Sequence, residues 1–160
     1  MTITVYIETT IISYLTARPA RTIVSAARQQ ITIDWWEVRR HGFDLCSSEV
    51  VLREAAMGDA EAARRRLGVL RELPLIAVDD KVMALATLLV ERGLVPSVAA
   101  DDALHISLCA VHGVDFLLTW NCTHIANAQI QAPLARAVAA AGYVLPTICT
   151  PDELCGETDE

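Results

Sequence analysis

Short apolar runs that alternate with helical stretches fix the class of fold open to this chain. Residues Ile3 to Ile7 are β-branched or aromatic and read as a buried strand. Phe43 to Cys46 reads as a second strand, Val114 to Thr119 as a third, closed by Trp120-Asn121, and Tyr143 to Leu145 as the last, before Pro146. Leu75 to Val78 reads either as a short strand or as a connection. Helical stretches lie between them. Thr9 or Thr10 offers an N-cap to a turn carrying Ile11, Ile12, Tyr14 and Leu15. Arg21 to Arg40 reads as one long helix ended by Gly42. Ser47 or Ser48 caps a helix that carries Glu54 and stops at Gly58, and Asp59 caps Ala60 to Glu72. Asp79 caps a helix over Val82 to Glu91, which Gly93 and Pro96 break. Asp101 or Asp102 caps a helix to about His112, Gln131 to Ala141 is helical, and Pro151 to Leu154 is a terminal turn. This alternation argues for an α/β fold with a mainly parallel central sheet and helices on both faces.

No linker, repeat or low-complexity stretch divides the 160 residues, so 1–160 reads as a single domain. A chain of this size buries roughly 70% of its unfolded surface and needs no disulfide or metal to fold. The five cysteines are odd in number and include no C-x-x-C pair, which reads as reduced thiols in a cytoplasmic protein. No stretch approaches the roughly 20 apolar residues that cross a bilayer, so no membrane partner is expected. The net charge of −7 lowers the expectation of nucleic-acid binding without removing it, because charge near a site matters more than the total.

Active sites of open parallel sheets gather at the carboxyl ends of the strands. Glu8 ends the first strand and Asn121 the strand Val114 to Thr119, while Glu54 and Asp102 lie on neighbouring helices. Several carboxylates in one crevice repel one another unless a cation neutralises them. A hard ion such as Mg²⁺ or Mn²⁺ prefers oxygen ligands and serves phosphodiester hydrolysis by orienting water and stabilising charge. Each residue also has a plainer role: Glu8 and Glu54 as surface acids, Asp101 and Asp102 as cap and first-turn acids of a helix.

Four segments in order carry a resemblance. VYIETTIISYL has a strand ending in an acid followed by Thr, and SEVVLREAAMGD a Ser with an acid six positions on. AADDALHISLCAVHG has an Asp followed by Ala-Leu, and DFLLTWNCTHIAN an apolar strand ending in Thr, any residue, then Asn. In this order and spacing they resemble the motifs of the PIN domain, and more narrowly of VapC-like toxins of type II toxin–antitoxin pairs. The resemblance implies a PIN-like fold and a metal-dependent endoribonuclease, a hydrolase that cuts RNA. It implies that Glu8, Glu54 and Asp102 hold Mg²⁺ or Mn²⁺ as the catalytic acids, that Asn121 assists, and that Thr10 supports the first acid. Asp102 rather than Asp101 is the third acid, because the family's acid directly precedes Ala-Leu. A homodimer and a small cognate antitoxin are implied as partners. The family usually has Asp at the first position; the extra methylene of Glu8 moves the carboxylate outward, and about 1 Å of displacement can cost roughly 10²-fold in rate. Glu8 and the acidic net charge prompt the rival reading, a weak or inactive PIN domain that binds nucleic acid or a protein.

Other residues carry two readings each. His105 shares a helical face with Asp102 and reads first as a histidine bonded to a neighbouring acid, second as a substrate contact. His124 follows Asn121 and is the better substrate-contact candidate. Of Trp35 and Trp36, about 100° apart on a helix, at most one faces a groove for base stacking. Arg64, Arg65 and Arg66 read as phosphate binders or as a solvated helix face, and Arg18, Arg21 and Arg28 as a basic rim. Cys122 has no base to pair with as a nucleophile.

Overall fold

The computed structural model describes residues 2–156. Five strands, β1 (Thr4–Ile7), β2 (Asp44–Ser48), β3 (Leu75–Ile76), β4 (Phe116–Leu118) and β5 (Thr147–Cys149), form one sheet in the order β3-β2-β1-β4-β5. Every pairing is parallel. The central strand β1 pairs Val5 with Leu45 on one side and with Phe116 on the other. A strand flanked on both edges and covered on both faces must be apolar throughout, and Val5, Tyr6 and Ile7 are fully buried. Helices α1 (Thr9–Thr16), α2 (Ile23–Asp34), α3 (Glu49–Ala55), α4 (Ala60–Leu70), α5 (Asp80–Glu91), α6 (Ala100–His112) and α7 (Ala128–Ala140) flank the sheet. The result is the expected α/β architecture with a parallel sheet, in a layout consistent with a PIN-like fold. None of the described helices is long and apolar enough to cross a membrane.

The strand order places the site. From β1 the chain moves outward to β2 and β3, then returns to lay β4 on the other edge of β1. The direction of winding therefore reverses between β1 and β4, where loops diverge and leave a crevice outside the carboxyl ends of the strands. Glu8 and Asn121 lie just past those two ends.

Most caps follow the expected chemistry: Ser48 accepts from the Val51 amide, Asp59 from Ala62 and Asp79 from Val82. Gly58 and Gly113 take the left-handed conformation where α3 and α6 end. The departures have local causes. The cap of α1 is Glu8, not Thr9 or Thr10, because its longer carboxylate reaches the Thr10 amide. The cap position of α6 is Ala99, with no side-chain bond; Asp101 and Asp102 lie within the first turn, their carboxylates directed to Arg53 and His124. The last strand comes after Pro146, at Thr147–Cys149, and not over Tyr143 to Leu145. Gly142 turns the chain out of α7, Val144 is exposed, and pairing begins only once Pro146, which lacks an N–H, is passed. Asn127 caps α7, which starts at Ala128, ahead of the expected Gln131.

The long helix expected over Arg21 to Arg40 is broken at the tryptophan pair. Residues Trp35–Arg39 form a π-helical turn, continued by a 3₁₀ turn over Arg40–Gly42. Trp35 faces inward, stacks on Phe43 at 5.9 Å and donates its indole N–H to the Leu154 carbonyl. Trp36 is half-buried beneath the Arg40 guanidinium.

Candidate active site

The first acid is held by the junction of β1 and β4. The Glu8 amide donates to the Leu118 carbonyl, which ties the two strand ends together. Its Oε2 accepts from the Thr10 amide at 2.8 Å, the Thr10 hydroxyl and the Thr119 hydroxyl at 3.0 Å. Those hydroxyl oxygens accept in turn from the amides of Trp120 and Asn121, at 2.8 and 2.9 Å. The Thr10 and Thr119 side chains thus carry the polarity of two backbone amides onto one carboxylate oxygen. Glu8 is only 3% exposed. Burial pushes its carboxyl above the usual range, although the charge of His105 and the hydrogen bonds from Thr10 and Thr119 oppose that rise.

The second acid is held by a buried relay. Glu54 Oε1 accepts from the Thr9 hydroxyl at 2.7 Å and lies 2.6 Å from His105 Nε2. His105 has no exposed surface, and its Nδ1 is 2.7 Å from the Tyr6 hydroxyl, itself 2.7 Å from Ser48 Oγ. With a neutral imidazole the donors run one way, from Ser48 to Tyr6 to Nδ1, with Nε2–H on Glu54. Protonating Nδ1 reverses the first two bonds and leaves the bond to Glu54 intact. Burial disfavours a charge on His105, but the Glu54 bond and the charges of Glu8, Glu54 and Asp102 outweigh it and raise the imidazole. Burial likewise acts to raise Glu54, and His105 and Thr9 outweigh it and lower the carboxyl. Burial, with nearby Cys109, Glu8 and Glu54, keeps Tyr6 a neutral phenol.

The third acid is separated from its neighbour by its partners. Asp102 Oδ2 lies 3.0 Å from His124 Nδ1, whereas Asp101 meets Arg53 at 2.6 Å on the surface. Asn121 serves this pairing. Its Oδ1 accepts from the His124 amide, and its carbonyl accepts from Ile125 and Ala126, which fixes the turn that brings His124 to Asp102. A polar cleft of about 410 Å³ opens beside these groups, lined by Glu54, Asp101, Asp102 and the turn Ser97–Ala100.

The sequence candidates fall into two hydrogen-bonded groups: Glu8, Thr10, Asn121, His124 and Asp102, joined through Thr119, and Glu54 with His105. The charges of Glu8, Glu54 and Asp102 all act on His105. Among the described residues, no three His, Cys, Asp or Glu groups stand close enough to enclose a metal ion. The donor chemistry nevertheless suits a hard cation. Glu8, Glu54 and Asp102 each commit one oxygen to the protein, and Glu8 Oε1, Glu54 Oε2 and Asp102 Oδ1 accept no hydrogen bond among the described residues. Mg²⁺ is commonly held by one or two carboxylates and completes its shell with water and substrate oxygens.

Other candidates lie elsewhere. Arg65 donates to the Thr16 carbonyl and Arg66 to those of Ala55 and Met57, so both pin helix ends and loops. Arg18 pairs with Glu61, and Arg28 sits over the Trp120 ring at 5.1 Å. Cys122 is exposed, and all five cysteines are free thiols. Tyr6 was not legible as a site residue, because its place in a buried strand accounts for it; Thr9, Ser48 and Thr119 stand in the motifs quoted above, but the sequence assigns them no partner. Neither a scan against protein-family models nor a search of curated proteins finds a match to this chain.

Proposed function

We propose that this protein is a PIN-type nuclease that hydrolyses RNA phosphodiesters with the help of Mg²⁺ or Mn²⁺. The observation that supports this reading is that Glu54 and Asp102 line one polar cleft, with Glu8 at the end of β1, and that each of the three has one oxygen without a hydrogen bond among the described residues. Glu8, Glu54 and Asp102 would hold the cation. When bound, it supplies orientation of the attacking water and stabilisation of charge on the phosphate. The chain's own groups do the positioning. Thr10 and Thr119 fix Glu8 against the strand ends, and Thr9 and His105 fix Glu54. His124, paired with Asp102 and 34% exposed, would meet a substrate phosphate. A role as the toxin of a toxin–antitoxin pair, acting as a homodimer and restrained by a small antitoxin, belongs to the same reading.

The absence of a closed three-ligand cage among the described residues favours one alternative, a PIN-like module that binds RNA without cutting it. An RNA-cleavage assay with Mn²⁺ or Mg²⁺ separates the two. Cleavage by the wild type that is lost in Asp102→Asn supports the nuclease. Equal activity in both proteins would sink the assigned site, and RNA binding without metal-dependent cleavage would favour the module.

A further inference from the structure

The cleft presents an electrostatic problem to any RNA. Its charged lining residues are Glu54, Asp101 and Asp102, all acidic, in a chain of net charge −7. Phosphates must approach these groups, and the cleft needs a cation at its rim to admit them. Arg53 stands next to the cleft, bonded to its lining residue Asp101. It precedes Glu54 on α3, its guanidinium lies 2.6 Å from Asp101, and its charge helps lower the Glu54 carboxyl. Of the three arginines on α4, Arg65 and Arg66 are engaged by backbone carbonyls, and Arg64 is exposed without a bond, among the described residues, to any carboxylate that lines the cleft.

We infer that Arg53 binds a backbone phosphate of the RNA entering the cleft, with Asp101 as the counter-ion from which it is released. This rests on the nuclease reading above. The Arg53–Asp101 pair is open to solvent, with side chains 59% and 41% exposed. Such exposed pairs contribute little net stability, so exchanging a carboxylate for a phosphate meets little resistance. A guanidinium takes phosphate with two parallel N–H donors, a geometry that lysine lacks. Asp101 thus has a role distinct from that of Asp102, though the two are adjacent. Asp102 faces His124 inside the cleft, and Asp101 holds the incoming ligand's cation in place until it is needed.

The test is binding of a fluorescent single-stranded oligouridylate, read by anisotropy in an Asp102→Asn background that prevents turnover. Adding Arg53→Ala is expected to weaken binding about tenfold and to make the plot of log K against log salt shallower by about 0.7, the loss of one phosphate contact. Arg53→Lys should keep most of the slope, and Asp101→Asn should tighten binding several-fold by freeing the guanidinium. Affinity within twofold and an unchanged slope for Arg53→Ala would overturn the inference, as would an Asp101→Asn variant that weakens binding. RNA cleavage by the otherwise wild-type chain with KM unaltered by Arg53→Ala overturns it while leaving the nuclease reading standing. An oligouridylate that binds no variant overturns both.

Discussion

Replacing Tyr6 by Phe removes one oxygen from a fully buried strand residue and leaves its ring in place. No cavity opens, so the change isolates the hydrogen-bonded relay from packing. Two bonds of 2.7 Å disappear, one to His105 Nδ1 and one to Ser48 Oγ. The two ends are not equivalent. Ser48 Oγ keeps the Val51 amide that it caps, whereas His105 Nδ1 is left with no partner on a ring with no exposed surface. Stranding one buried polar nitrogen costs about 1–3 kcal/mol, and the second bond adds about 1 kcal/mol. Easier burial of Phe offsets part of this, so the net loss is about 2–3 kcal/mol. Urea unfolding at pH 7 measures it: with a slope of about 2 kcal/mol/M, the midpoint falls by roughly 1–1.5 M at unchanged slope. A double-mutant cycle with Ser48→Ala should return a coupling of about 0.5–1 kcal/mol. A Tyr6→Phe loss below about 0.5 kcal/mol would refute the idea that His105, and through it Glu54, is held by a buried relay.

Glu8→Gln keeps an oxygen for the Thr10 and Thr119 donors but removes a charge that burial opposes. A carboxyl raised above its unfolded value contributes stability only below that value and costs stability once ionised. The metal-free variant should therefore be the more stable at pH 7, seen as a higher Tm, while losing Mn²⁺ binding. A fall in Tm would show that the three hydrogen bonds outweigh the desolvation. The His105–Glu54 pair gives a pH signature in the metal-free protein. His105 is raised from its ordinary 6.5, so its contribution is full below that pH and lost as pH rises through the folded value. Glu54 is lowered from its ordinary 4.5, so its contribution is full above that pH and lost as pH falls through the folded value. The stability difference between wild type and His105→Gln should peak between about pH 4.5 and 6.5 and shrink on either side. A difference that does not vary with pH would mean that the pair is not ionic.

The parallel sheet was legible because β1 is buried on both faces and needs an unbroken apolar run, a pattern plain in Val5 to Ile7 and again in Phe116 to Leu118. Boundaries failed where two local signals competed. Tyr143-Val144-Leu145 has strand composition, yet the exit from α7 at Gly142 leaves it outside the sheet, and only Thr147 onward aligns with Phe116. Trp35-Trp36 fits helical spacing, but turning Trp35 onto Phe43 and Leu154 requires a π turn that no local propensity signals. The three acids were legible as acids at a strand end (Glu8), within a helix (Glu54) and in the first turn of a helix (Asp102). Their partners were not. Tyr6 meets His105 across 99 positions and Thr119 meets Glu8 across 111, and such pairings are set by the crossover, not by neighbours in sequence.

The most direct test of the account is Mn²⁺ binding by calorimetry on wild type and Asp102→Ala. Binding by the wild type that is lost in Asp102→Ala is the result predicted for a cation held by Glu8, Glu54 and Asp102. No binding by the wild type up to millimolar Mn²⁺, or equal binding by both proteins, would contradict it.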